Sequence, residues 1–130
     1  MQVSNVAKTD TVGTEVSEKE ALYYELKGIA ASSGAVHGRC IVVSSLEDLY
    51  RLEDGAIAVV ETAAPYLIPF IPMLAGLATE RGGIGASALL HAREHGVPAV
   101  VGVKGLMKRV REGDMIWVDG ECGIVYSPES

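Results

Sequence analysis

An α/β chain built on a mixed sheet is what this sequence predicts, and three observations support that reading. Short runs of β-type residues alternate with short helical ones, and the last two β-type runs flank a tight turn as a hairpin. Between an apolar run and a helical one lies a glycine-rich loop, Gly82 to Ala86. At 130 residues, 48% of them hydrophobic, the chain suits one globular domain with a single core.

Taken in order, Met1 to Lys19 is polar and without helical or strand periodicity, so a flexible tail or linker is expected over 1–20 and a folded domain over 21–130. Leu22 to Ala30, Ala35 to Ser44 and Ala56 to Glu61 read as strands, the last ended by Thr62 and Pro65. Ser45 is an N-cap for a short amphipathic helix with leucines at 46, 49 and 52. Tyr66 to Ala75 is a second helical segment, kept short or bent by Pro69 and Pro72. Its stripe of Tyr66, Leu67, Phe70, Ile71, Met73 and Leu74 is mostly core, with part of it free to face a partner.

Leu77-Ala78-Thr79 is a buried strand running into the glycine loop. Ser87 to His95 contains neither proline nor glycine, and Gly96 with Pro98 stops it, which makes it the main helix. Ala99 to Val103 is a core strand. Met115 to Val118 and Gly123 to Tyr126 pair around Asp119-Gly120-Glu121. The helices are expected on one side of the sheet.

Composition excludes several functions. A net charge of −6 without a Lys/Arg cluster argues against nucleic acid and against acidic membranes. No run reaches the roughly 18 apolar residues of a membrane span, and no secretory signal is visible, so a cytoplasmic location is expected. Cys40 and Cys122 are far apart and lack CxxC spacing; two reduced, buried thiols are expected, and no metal site.

The loop itself suggests chemistry. Four of the five residues Gly82 to Ala86 are glycine or alanine, which frees the backbone for positive φ and for close approach to a ligand. The following helix points unpaired N–H groups and its positive dipole end at the loop, a phosphate cradle. The same glycines would equally serve a tight turn that packs the helix on the sheet.

Several blocks resemble the phosphohistidine domain, or PEP-utilising enzyme mobile domain, of phosphoenolpyruvate synthase and pyruvate phosphate dikinase. Gly28 to Gly38 is similar to the family's Gly-x-x-x-Ser-x-Gly-x-x-x-Gly opening, and Gly55 to Pro65 to its strand before a Thr-x-x-Pro turn. Thr79-x-x-Gly82-Gly83 and Ala92-Arg93-Glu94-x-Gly96-Val97-Pro98 through Gly102 resemble its signature. Gly113-Asp114 through Gly120, then Gly123-Ile124-Val125, match its closing hairpin. The resemblance runs from Gly28 to Tyr126. It implies a swivelling β/β/α three-layer domain, with the helix after the glycine loop. Such a domain takes phosphate on a histidine at an ATP-grasp site and delivers it to a PEP/pyruvate site. ATP, phosphoenolpyruvate and Mg are then held by partner domains, and no cofactor by this one.

By that resemblance the histidine belongs four residues after the Gly-Gly pair, where this chain has Ser87, flanked by Gly85 and Ala86. The loop reading gives Thr79, Arg81, Gly82, Gly83 and Gly85 as phosphate-binding positions, with Thr79 a structural residue whose hydroxyl holds the loop and Arg81 beside Gly82. The resemblance implies Ser87 as the acceptor position without its histidine. The expected function is a binding or regulatory module working with dikinase-like partners. An active alternative uses Ser87 or His91, and a Ser87/His91/Glu94 relay fits helical spacing. A third reading takes His91-Ala92-Arg93-Glu94-His95 as an inverted zinc-peptidase motif. Arg93 is expected to anchor the helix or its C-terminal end to a carboxylate, and His37 to be a surface or turn residue.

Overall fold

The computed structural model describes Tyr24 to Ser127 apart from Ile84. The expected tail, Met1 to Lys19, lies outside the described residues.

Among these residues the strands are β1 (Tyr24–Lys27), β2 (Ile29–Ser32), β3 (Ala35–Val43), β4 (Ile57–Val60), β5 (Gly76–Thr79), β6 (Ala99–Val101), β7 (Met115–Asp119) and β8 (Ile124–Ser127). Helix α1 is Ser87–Glu94 and α2 is Leu106–Arg109; two 3₁₀ segments cover Leu46–Arg51 and Pro65–Met73. The strands follow one order, β1-β8-β7-β3-β4-β5-β6-β2. Strands β3 to β6 are parallel neighbours, while β1, β8, β7 and the first half of β3 are antiparallel, as are β6 and β2.

Strand β3 belongs to both parts. Its residues Ala35 to Arg39 pair with β7, and Cys40 to Val43 pair with β4. The antiparallel part folds across one face of the parallel part, because alternate side chains of the central strands enter two cores. Ile57 and Val59 of β4, with Ala78 and Val100, face Ile116, Val118 and Val125 of the hairpin. Ala58, Val60, Leu77 and Val101 face Leu67, Ile71, Leu89 and Ala92 of the helical layer. A parallel strand covered on both sides reads as a continuous apolar run, and β4 does so. Full burial of Ile57 and Val59 contributes about 1.5–3 kcal/mol each. The three layers are therefore β, β and α, as the resemblance implies.

Three local details depart from expectation. The run Leu22 to Ala30 is not one strand: Gly28 breaks it, its N–H bonding to Gly123 O at 2.8 Å, so β1 joins β8 and β2 joins β6. The segment after Ser45 is 3₁₀ rather than α, and Asp48 caps it, its Oδ2 accepting from the Ser44 and Ser45 amides. Helix α2 adds an element the sequence reading lacks, and its Leu106 packs into the core between the two sheets, so the helical elements are not all on one face.

Candidate functional site

The site is built at the carboxyl edge of the parallel strands. There β3 ends at Val43, β4 at Val60 and β5 at Thr79, and the glycine loop leaves β5 for α1. The stem of the loop is rigid. Thr79 is fully buried and its Oγ1 donates to Arg81 O at 2.8 Å, while Val103 N donates to Thr79 O. Glu80 N and Arg81 N bond to the carbonyls of Val60 and Glu61, extending the ladder one step past the strand. Glu80 Oε1 accepts from Met107 N at 2.9 Å, tying the start of α2 to the same stem.

Beyond Arg81 the chain changes character. Gly82 has φ +107°, a conformation that side-chain-bearing residues rarely adopt. Gly83 and Gly85 have no such φ, and a Cβ on any of the three would meet nothing within 4 Å. The turn itself therefore requires glycine at 82, whereas no packing contact requires it at 83 or 85, where the loop backbone is bare.

Ser87 is exposed at the first position of α1, with Ala86 as N-cap and no side chain capping the helix. By position, the amides of Ser87 and Ala88 have no acceptor within the helix. Arg81 is 72% exposed and its Nε lies 3.2 Å from Glu61 Oε2, so it stands beside the loop in a solvent-facing pair. Thr79, by contrast, lies behind the loop. Its hydroxyl is committed to Arg81 O, and meeting an anion directly would require giving up that bond.

His91 is half-buried one turn further along α1, its Nδ1 3.8 Å from Glu94 Oε1. That separation is longer than a hydrogen bond, so Glu94 does not fix the ring, and the relay read from helical spacing is not assembled. Among the described residues no three His, Cys, Asp or Glu side chains form a group able to hold a metal. His91, Glu94 and His95 thus lack the convergent ligand set that the peptidase reading requires. Arg93 ties the helix to β2 through a backbone carbonyl, its Nε donating to Ala31 O at 2.7 Å.

The other singled-out residues lie elsewhere. His37 is exposed on β3, stacked on Trp117 at 4.9 Å between ring centroids. Cys40 is buried and its thiol donates to Arg111 O; burial, then the charge of Asp114, pushes its pKa up to about 11. Cys122 corrects the expectation of two buried thiols: it is exposed in the hairpin turn. Asp119 raises its pKa, and the Asp119 carboxylate is held low by the Cys122 and Glu121 amides it accepts from. A feature without any sequence signal is a cavity lined by Val43, Ser44, Glu61, Thr62, Tyr66 and Met107, drawn from four separate stretches of chain.

A β/β/α domain offering a bare glycine loop at the carboxyl edge of its parallel strands is the class that this geometry defines. The chain belongs to the PEP-utilising enzyme mobile domain family, whose description matches residues 52–123. A probable phosphoenolpyruvate synthase of Archaeoglobus fulgidus is 39% identical over 112 residues, which cover 86% of this chain and 15% of that protein. The relative is thus a far longer protein, of which this chain spans one part. Among solved structures, Enzyme I (nEIt) is 33% identical with a TM-score of 0.52, covering 59% of this chain and 32% of that one. A chain of holo aconitase X from Thermococcus kodakaraensis shares the fold, with a TM-score of 0.61 at 18% identity over 78% of this chain and 96% of that one. No helix among the described residues is long and apolar enough to cross a membrane.

Proposed function

We propose that this chain, with its domain over 21–130, is a phosphohistidine-type mobile domain whose acceptor position is occupied by Ser87. In this reading it serves as a binding or regulatory module beside dikinase-like partners. Those partners are an ATP-grasp nucleotide-binding domain and a PEP/pyruvate-binding domain, which hold ATP, Mg and phosphoenolpyruvate. The observation that supports it most is the pairing of a bare loop with an unsuitable side chain. Gly83 and Gly85 answer no need of the chain's own packing, which leaves close approach by another body as their use. Arg81 stands beside that loop with its guanidinium in solvent, suited to an incoming phosphoryl group.

The residue facing the same approach, Ser87, is an alcohol. A serine phosphate is a stable ester, whereas a phosphohistidine is labile enough to pass its phosphoryl group on. Serine also needs a base, and His91 is not set up as one. The domain therefore retains the docking geometry without the reversible chemistry.

Labelling tests this directly. The chain is incubated with labelled ATP and a dikinase nucleotide-binding subunit, and separately with labelled phosphoenolpyruvate and a PEP-site subunit. No label is expected. Acid-labile label would transfer the role to His91 and acid-stable label to Ser87, either of which overturns the reading. In the same assay Ser87→His is expected to gain acid-labile label.

A further inference from the structure

We infer that the cavity at the carboxyl edge of β3 and β4 is a socket for a single basic side chain, an arginine or lysine, presented by a docking partner. Its position suits a ligand. Tyr66 enters from the 3₁₀ segment on the helical face of the sheet, and Met107 from α2 on the opposite face. The cavity thus lies just beyond the carboxyl ends of two parallel strands, the edge at which α/β sheets take ligands.

Size narrows the occupant. The cavity measures about 170 Å³, below the roughly 300–1,000 Å³ of sites for drug-sized molecules. An engineered protein cavity of about 150 Å³ holds one benzene ring. A nucleotide does not fit; one side chain does.

Charge narrows it further. The lining has one carboxylate, Glu61, and three hydroxyls, on Ser44, Thr62 and Tyr66, with no cationic residue among them. A phosphate or carboxylate would face the Glu61 carboxylate, whose cationic partner, Arg81, stands outside the lining. A guanidinium or ammonium group would instead find acceptors, the partly exposed Tyr66 ring and the adaptable Met107 thioether. Glu61 already receives one guanidinium at this edge: Arg81 meets its Oε2 at 3.2 Å, which leaves Oε1 for a second donor. The inference uses the proposed function only for the source of that side chain, a partner docking on this edge.

The test needs neither partner nor phosphoryl group, so it can fail or succeed independently of the labelling experiment. The full chain, labelled with ¹⁵N, is titrated with N-acetylarginine amide and with the isosteric, uncharged N-acetylcitrulline amide. Saturable shifts are expected at the amides of Ser44, Glu61, Thr62, Tyr66 and Met107 with the arginine compound. Binding is expected to be at least about threefold weaker for citrulline and for Glu61→Gln, the range of an exposed ion pair. Arg81→Gln frees Glu61 and is expected to bind about twofold tighter. Unchanged spectra away from the cavity check that each variant folds. No saturable shift, shifts centred elsewhere, equal binding of the citrulline compound, or indifference to Glu61→Gln would each overturn the socket.

Discussion

The closing hairpin turn and the loop before α1 both contain glycine, and the chain needs it for different reasons in the two places. In the turn, a Cβ on Gly120 would lie 1.8 Å from Ser32 O, and Gly120 N donates to Gly34 O at 2.7 Å. Gly123 has φ +76° and sits against Gly28 O and Ala30 N. The glycines there let the hairpin press its backbone onto β2, so the fold accounts for them fully. At Gly83 and Gly85 the fold asks for nothing. A glycine explained by packing teaches about stability, and one left unexplained by packing directs attention outside the chain.

Substitutions can break this contrast. The largest effect is expected for Gly120→Ala, whose methyl group meets backbone that cannot rotate away; a loss of about 3 kcal/mol or more in denaturant unfolding is predicted. A loss below about 1 kcal/mol would show that the turn is not clamped as described. Thr79→Val keeps the shape of a buried side chain but removes the hydroxyl that bonds Arg81 O, and about 1 kcal/mol is expected. That loss should appear with faster amide exchange confined to the loop stem.

A smaller effect concerns pH. The Asp119 carboxylate is held below its ordinary value of 3.8 by the amides of Cys122 and Glu121. A depressed carboxylate stabilises the folded state above the unfolded-state value, and that contribution is lost as pH falls through the folded-state value. The turn should therefore loosen only below about pH 4, seen as shifts of the Glu121 and Cys122 amides. Asp119→Asn should abolish that titration. The smallest change is expected for Gly83→Ala with Gly85→Ala, within about 0.5 kcal/mol of the parent or slightly more stable. A large destabilisation by this pair would return the loop to ordinary packing and remove the main support for its proposed role.

Local signals in the sequence located most elements. Helix α1 was visible because Gly96 and Pro98 stop it, and the hairpin because Asp119-Gly120 sits between two β-type runs. The break at Gly28 was not visible, since Leu22 to Ala30 is one unbroken β-type run. It is set by distant contacts: a Cβ on Gly28 would lie 2.6 Å from Val101 O. Helix α2 is too short, at four residues, to show a period, and it opens on Gly105 in the left-handed region. At the site, spacing placed the glycine loop between β5 and α1, and the structure has Ser87 at the first position of that helix. Spacing could not show that Glu61 turns toward Arg81, which depends on pairing between strands, or that Glu94 stands 3.8 Å from His91, which depends on side-chain rotamers within one helix. The cavity had no motif at all, since four stretches of chain each supply one part of it.

Strand β3 runs unbroken through both sheets, with Cys40 taking over from Arg39 as the partner changes from β7 to β4. The two sheets therefore share one spar, and neither can tilt without bending the other. Because β4 and β5 are laced to that spar in register, the ends of all three strands keep a constant span. The socket beside Glu61 and the loop after Arg81 thus form the two marks of a fixed gauge, and a partner whose own groups are spaced differently could seat one mark but miss the other.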